Sequence, residues 1–318
     1  MTAGPVSVGF DIGGTNVRGV PVRADNTIGD TIKMPRPQDP SELVETIAAL
    51  TDRLAGAEQA DVDAVGIGCA GIVDNDGTVR TSPNIPSLIH FPLKAQVDAR
   101  MGVSSVVDND ATTATWAETQ LGAARGADEV AFVALGTGIG TGFVFEGKLH
   151  RGANGFAGES GHMTIVHDGI ACVCGRKGCW ERYTSGTALG RLAREAAAAG
   201  RADSVLELAG GDQADVRPEH VAQLIPDGDP AALAILGELG YWTAVGLANL
   251  VNVLDPQVIV MGGGLADIGE PLVEAIREAY PKVMIDADRR EPVSIELSAF
   301  GGRSGAIGAA LLAKALGD

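Results

Sequence analysis

His162, Cys172, Cys174 and Cys179 share the stretch HMTIVHDGIACVCGRKGCWE. Zinc takes Cys sulfur and His nitrogen tetrahedrally, and Cys₃His is a common closed structural site. Buried structural thiols would be the ordinary alternative. That alternative leaves unexplained why three of the four cysteines crowd into C-x-C-x₄-C beside Gly175 and Gly178. The C-x-C spacing is also not the C-x-x-C of thioredoxin-like redox sites. Cys69 sits in an apolar run and reads as a core residue. Glu159 and Glu181 flank the cluster and are not needed to fill four coordination positions. The cluster is therefore expected to be a metal staple that shapes a polar pocket, with both carboxylates left for other work.

Three glycine loops carry a second kind of chemistry. In DIGGT, Asp11 to Thr15, the glycines remove side chains where backbone must approach a ligand. Successive backbone N–H groups there can form an anion nest, with Thr15 and Asn16 adding donors. Asp11, at the expected end of a strand, is placed to hold Mg²⁺ through water. The loop Gly136-Thr137-Gly138-Ile139-Gly140 offers the same donors. A third loop, Gly262-Gly263-Gly264, follows the apolar run VIVM and could lie against a flat adenine ring. Neither a Walker A loop nor a well-placed dinucleotide fingerprint occurs. A single glycine loop is weak evidence, since hairpin turns use glycine too; three of them, one headed by a strand-end Asp, are stronger.

Asp108-Asn109-Asp110 lies where a strand meets a helix. Asp and Asn are favoured helix caps. A carboxylate at a helix N-terminus is also held ionised by the dipole and free N–H groups. In phosphoryl transfer such a group orients a substrate hydroxyl and accepts its proton. Spacing alone does not choose between Asp108 and Asp110.

Alternating strands and helices must position these groups. VSVGF reads as a buried strand, and VRGVPV as the second arm of a hairpin. Leu43, Ile47, Leu50 and Leu54 give residues 41–56 a helical period after the expected N-cap Ser41. VDAVGIGCA and SSVVDND read as strands, and ATTATWAETQLGAA as a helix. AFVAL and the residues after the second glycine loop read as strands, with a turn near Glu146-Gly147. Residues 184–200, 231–251, Pro271 to Ala279 and GAIGAALLAKAL read as helices. Two strand–glycine turn–strand units, VGFDIGGTNVRGV and AFVALGTGIGTGFVF, head two halves of the chain. Residues 1–112 are thus expected to form a small α/β lobe and 113–303 a large one carrying the zinc motif. A helix over about 304–318 is expected to pack back on the first.

Composition narrows the function. The chain has 318 residues, 44 glycines and a net charge of −17. Nucleic-acid binding calls for a basic surface, and no basic run occurs, so none is expected. No secretory leader is read at the N-terminus, and no apolar stretch is read as spanning a membrane. Metal-type cysteines fit a reducing cytoplasm.

Together DIGGTNVR, DNDA, LGTGIGTG, GESGH and CVCGRKGCWE resemble the ROK (repressor, open reading frame, kinase) sugar kinases, and among them the ATP-dependent glucokinases of actinobacteria. The likeness covers essentially the whole chain. It implies an α/β, two-lobed actin-like ATPase (ribonuclease H-like) fold with a structural zinc site, and sugar and ATP in a cleft. It implies transfer of the ATP γ-phosphoryl group to the 6-hydroxyl of D-glucose, with Mg²⁺, giving glucose 6-phosphate and ADP.

The resemblance also assigns residues. Asp110 becomes the general base, with Asn84 and Asn109 as sugar contacts. Glu159, His162 and Glu181 become ligands of the hydroxyls at the anomeric end. His162 then has one ring nitrogen on zinc and the other toward sugar, with Cys172, Cys174 and Cys179 completing the metal site. Gly13, Gly14, Thr15, Thr137 and Gly138 match phosphate contacts, and Gly263 and Gly264 the adenosine side. A homodimer or homotetramer is implied as well.

Some positions depart from the family pattern. Asp108 stands where Glu is commoner, Thr112 where Asn is common, and Cys69-Ala70-Gly71 replaces a more usual Pro-Gly. These bear on the sugar more than on the reaction: mannose, N-acetylglucosamine or N-acetylmannosamine are the alternative substrates, and polyphosphate an alternative donor. A sugar-binding repressor of the same family would need a helix-turn-helix of about sixty residues before the sugar-binding part, whereas DIGGT begins at residue 11. An actin-like filament protein would leave the zinc cluster and its carboxylates without a purpose.

Overall fold

Short apolar runs bounded by glycine turns become strands, and longer amphipathic runs become helices. The computed structural model describes residues 4–316. In chain order it contains β1 (Val6–Ile12), β2 (Asn16–Arg23), β3 (Ile32–Pro35), α1 (Pro40–Glu58), β4 (Val62–Cys69), β5 (Ile72–Val73), β6 (Val79–Thr81), α2 (Leu93–Met101), β7 (Ser105–Asn109) and α3 (Asp110–Gln120). There follow β8 (Val130–Leu135), β9 (Ile139–Phe145), β10 (Lys148–Leu149), α4 (Gly186–Ala198), α5 (Asp203–Leu208) and α6 (Pro218–Leu224). The last elements are α7 (Pro230–Leu254), β11 (Val258–Gly262), α8 (Glu270–Ala279), β12 (Ser294–Leu297) and α9 (Ser304–Lys314).

The first sheet has the order β3-β2-β1-β4-β7 and the second β10-β9-β8-β11-β12. Numbered from the first strand of each sheet, both read 3-2-1-4-5. The weak sequence likeness of the two hairpin units is thus a repeat of topology. In the first sheet β1 pairs antiparallel with β2 and parallel with β4, and β4 parallel with β7. Parallel neighbours need crossovers, here supplied by the segments carrying α1 and α2.

The chain divides into two compact units. Unit 1 comprises residues 1–132, 142–158 and 302–318; unit 2 comprises 133–141 and 159–301. This differs from a single boundary near residue 112. The physical reason is that α3 packs on α9 and β4. Gly308 lets the helices meet, because a Cβ there would run into the Thr113 carbonyl. Helix α9 lies against β1 and β4, where Gly9 and Gly66 leave room for its backbone. On the other face Val6, Val8, Phe10 and Ile12 of β1 pack with Leu43, Ile47 and Leu54 of α1 in a fully buried core.

Other differences are local. The N-cap of α1 is Asp39 rather than Ser41: its side chain accepts the N–H groups of Ser41 and Glu42. Helix α7 is long and apolar enough to cross a membrane by length and composition, contrary to the reading of the sequence. Its apolar positions are used in packing against α4, α6 and α8. Strands β3 and β12 and helices α2, α5 and α6 were not foreseen, all of them short or weakly periodic.

Candidate active site

In unit 1 the strand ends of β1 and β7 bring two carboxylates into one neighbourhood. Asp11 sits directly across the β1–β2 hairpin from Arg18, whose Nη1 lies 3.4 Å from Asp11 Oδ2. Burial pushes the Asp11 carboxyl up to about 7; the charge of Asp110 adds to the rise and Arg18 works against it. Asp110 opens α3, and its Oδ1 accepts the Ala111 N–H at 2.9 Å. Burial raises its pKa as well, outweighing that hydrogen bond. The expectation that a helix N-terminus keeps this carboxylate ionised is therefore reversed in direction: desolvation wins. A carboxylate with a raised pKa is the stronger proton acceptor.

Asn109 is the N-cap of α3. Its Oδ1 accepts from Ala111 and Thr112, at 2.9 and 3.0 Å, and its Nδ2 donates to the Gly71 carbonyl at 2.9 Å. Asp108 is engaged on both oxygens. Oδ1 accepts the Asn109 N–H at 2.8 Å, and Oδ2 accepts Nε of Arg151 at 2.6 Å. The structure therefore distinguishes two carboxylates that spacing did not: Asp108 is buried and ion-paired with Arg151, whereas Asp110 accepts the Ala111 N–H. Asn84 is exposed and lies beside Gly14.

The Asp11–Thr15 turn is closed by the Gly13 N–H donating to the Asn16 carbonyl at 3.0 Å. One of the expected nest donors is thus used inside the turn. The Asn16 Nδ2 donates to Thr15 Oγ1 at 2.9 Å. From behind, Arg36 donates to the Gly14 and Thr15 carbonyls.

In unit 2 the loop at Gly136–Gly138 is seated on the start of α4. The Gly136 carbonyl accepts the Gly186 N–H at 2.7 Å, and the Thr137 carbonyl accepts the Thr187 hydroxyl at 2.9 Å. A Cβ at Gly138 would lie 2.5 Å from Glu181 Oε2, so glycine is needed for that carboxylate to keep its place. Gly263 has φ +80° and its Cα faces the Leu135 backbone, which excludes any side chain. Gly264 opens onto free space.

The zinc motif forms one cluster. The ligand atoms of His162, Cys172, Cys174 and Cys179 lie within 4.8 Å of one another. Sγ of Cys174 is 3.5 Å from Sγ of Cys179, and Sγ of Cys172 is 3.7 Å from Nδ1 of His162. Tetrahedral bonds of about 2.3 Å place sulfurs roughly 3.8 Å apart, so the donor set fits zinc. For Cys174, burial is outweighed by the Arg176 N–H and the neighbouring thiols, and its thiol falls to about 6. His162 directs Nδ1 toward the thiols, and its Nε2 lies 3.8 Å from Glu159 Oε2. Glu181 Oε1 is 3.8 Å from His162 Nδ1 and accepts from the Cys172 thiol at 3.1 Å.

Three arginines with roles at these places escaped sequence reasoning: Arg18, Arg36 and Arg151. No local pattern marks them, and only the fold shows what each touches.

A model of the ROK family matches residues 7–316. The chain belongs to the ROK family. Among ROK proteins it is 38% identical over 313 residues to a glucokinase of Streptomyces coelicolor, covering 97% of this chain and 98% of that relative. The structure of a ROK family glucokinase from Streptomyces griseus in complex with glucose and AMPPNP superposes with a TM-score of 0.87. The two share 38% identity over 98% of this chain and 99% of the other. The ROK hexokinase of Thermus thermophilus matches with a TM-score of 0.79 and 31% identity over 98% of each chain. The α/β architecture described above is the ROK kinase fold.

Proposed function

We propose that this ROK protein is a glucokinase that transfers the γ-phosphoryl group of ATP to the 6-hydroxyl of D-glucose. The observation that carries the reading is its full-length likeness to glucokinases, one of them solved with glucose and AMPPNP. Asp110 accepts the 6-hydroxyl proton as the O6–P bond forms and the bond from γ-phosphorus to the bridging oxygen breaks, releasing ADP. Its place at the start of α3, with Asn109 locked by three hydrogen bonds, supports that role. In a loose phosphoryl-transfer transition state a weak base suffices, because positioning and charge neutralisation supply most of the acceleration.

Asn84 and Asn109 hydrogen-bond the sugar, as do Glu159, His162 and Glu181. Gly13, Gly14, Thr15, Asn16, Thr137 and Gly138 hold phosphate groups, and Gly263 and Gly264 flank the adenosine. Asp11 and Asp110 are hard oxygen donors whose charges oppose one another, which suits a divalent cation. Mg²⁺ held at Asp11 through water would supply neutralisation of the phosphate charge. Zinc at His162, Cys172, Cys174 and Cys179 would hold His162 and Glu181 in place for sugar. A cytoplasmic location would suit thiols kept reduced as metal ligands.

The test is glucose 6-phosphate formation from ATP-Mg²⁺ and glucose by the wild type and Asp110→Asn. The variant is expected to lose at least roughly 10²-fold in kcat while its glucose affinity changes little. Unchanged turnover in D110N would remove the base from Asp110.

A further inference from the structure

Behind the Asp11–Thr15 turn lies a buried guanidinium that the roles above do not use. Arg36 follows β3 and is 7% exposed. Its backbone N–H donates to the Thr15 carbonyl at 2.8 Å. Nε and Nη2 both donate to the Gly14 carbonyl, at 3.2 and 3.1 Å. Nη1 donates to the Pro37 carbonyl at 2.6 Å, and Nη2 to Gln38 Oε1 at 3.4 Å. Every acceptor is neutral. Among the described residues, Arg36 forms no ion pair. A buried charge is costly without a counter-ion, and here none of the described residues supplies one.

The peptide unit is planar and trans, so a carbonyl and the N–H of the following residue point in opposite directions. Arg36 draws the Gly14 and Thr15 carbonyls toward itself, and the N–H groups of Thr15 and Asn16 therefore point away from it. Unit 2 has the same arrangement built from other material. There the Gly136 and Thr137 carbonyls face the N-terminus of α4, which carries a partial positive charge of about half a unit. The N–H groups of Thr137 and Gly138 face the other way. These two glycine loops are each backed by positive charge, in one case a helix end and in the other a single side chain.

We propose that Arg36 is a positioning residue for the phosphate-binding turn: it pins the carbonyls of Gly14 and Thr15, and its charge is balanced by the phosphate groups of the nucleotide bound on the opposite face. The proposal rests on the reading of Asp11–Thr15 as a phosphate loop. Arg36 touches no reacting atom; it acts through the backbone it holds.

Calorimetric titration of wild type, Arg36→Gln and Arg36→Lys with glucose, and separately with AMPPNP-Mg²⁺, tests it. R36Q is expected to bind AMPPNP about tenfold more weakly, the scale of one hydrogen bond to a charged group, and glucose within twofold of wild type. R36K, with the charge but fewer donors, is expected to recover part of the loss. Wild-type AMPPNP affinity in R36Q would overturn the proposal, and so would an equal loss for both ligands, which marks a merely structural role. Should R36Q fail to fold, R36K carries the test alone: weaker AMPPNP binding with unchanged glucose binding is expected, and wild-type affinity for both would overturn it. Amide resonances of Thr15 and Asn16 in the wild type separate the two layers. If AMPPNP does not move them, the loop reading fails and takes the proposal with it. If they move and R36Q binds normally, the Arg36 role alone fails.

Discussion

Nε of Arg151 lies 2.6 Å from Oδ2 of Asp108, and the other oxygen of that carboxylate accepts the Asn109 N–H at 2.8 Å. The pair ties the loop carrying Arg151 to the strand end that presents Asn109 and Asp110. It also neutralises a buried carboxylate two residues from the proposed base.

Arg151→Gln would leave Asp108 buried without its cation. Removing one partner of a buried pair costs about 3–5 kcal/mol; Arg151 is itself 36% exposed, so a loss of about 1–3 kcal/mol is expected after screening. Thermal unfolding and steady-state kinetics should show a lower Tm and a kcat that falls more than glucose affinity. Asp108→Asn combined with R151Q removes the stranded charge and keeps an acceptor for the Asn109 N–H. The double variant is expected to recover both Tm and kcat relative to R151Q. A double variant no better than the single one would contradict charge neutralisation.

Asp11 makes a pH prediction. Its folded pKa of about 7 lies above the ordinary value of 3.8, so folding favours the protonated form. Its stabilising contribution is complete below about pH 3.8, declines between 3.8 and 7, and is gone above 7. Without Mg²⁺, the wild-type Tm is expected to fall more between pH 5 and 8 than that of Asp11→Asn, whose side chain does not titrate. Parallel Tm profiles for the two proteins would show that Asp11 is not the titrating group.

Zinc removal should act on sugar and spare nucleotide. Cys174 is the exposed member of the cluster, and Cys174→Ala is expected to lower bound zinc, measured by metal analysis. Glucose affinity should drop with it, because His162 and Glu181 lie against the same thiols. AMPPNP affinity should stay within about threefold, since the Gly136–Gly138 loop is held by α4 instead. Zinc-free protein with full glucose affinity would contradict the staple.

Much of this arrangement was legible in the sequence because it is local. The Cys₃His cluster is built from short spacings, and the strand–turn–strand units from alternating apolar runs around glycines. Asp108 and Asp110 could not be told apart, because the difference lies in Arg151, 43 residues along the chain from Asp108. Arg36 was invisible for the same reason: MPRP contains nothing to show that its arginine turns back onto Gly14. The two units divide otherwise than at a single boundary near residue 112, because α3 is held by α9, almost 200 residues later, through the gap at Gly308. The sequence reads Asp110 as a helix-end carboxylate kept ionised, and its desolvation depends on tertiary packing that no local pattern encodes.

The central claim is tested most directly by sugar-dependent ADP release with ATP-Mg²⁺, comparing glucose with mannose, N-acetylglucosamine and N-acetylmannosamine. The account predicts that kcat/KM for glucose exceeds that for each of the others. A preference for an acetamido hexose would contradict the assignment of glucose, and no ADP release with any of the four would contradict the kinase reading itself.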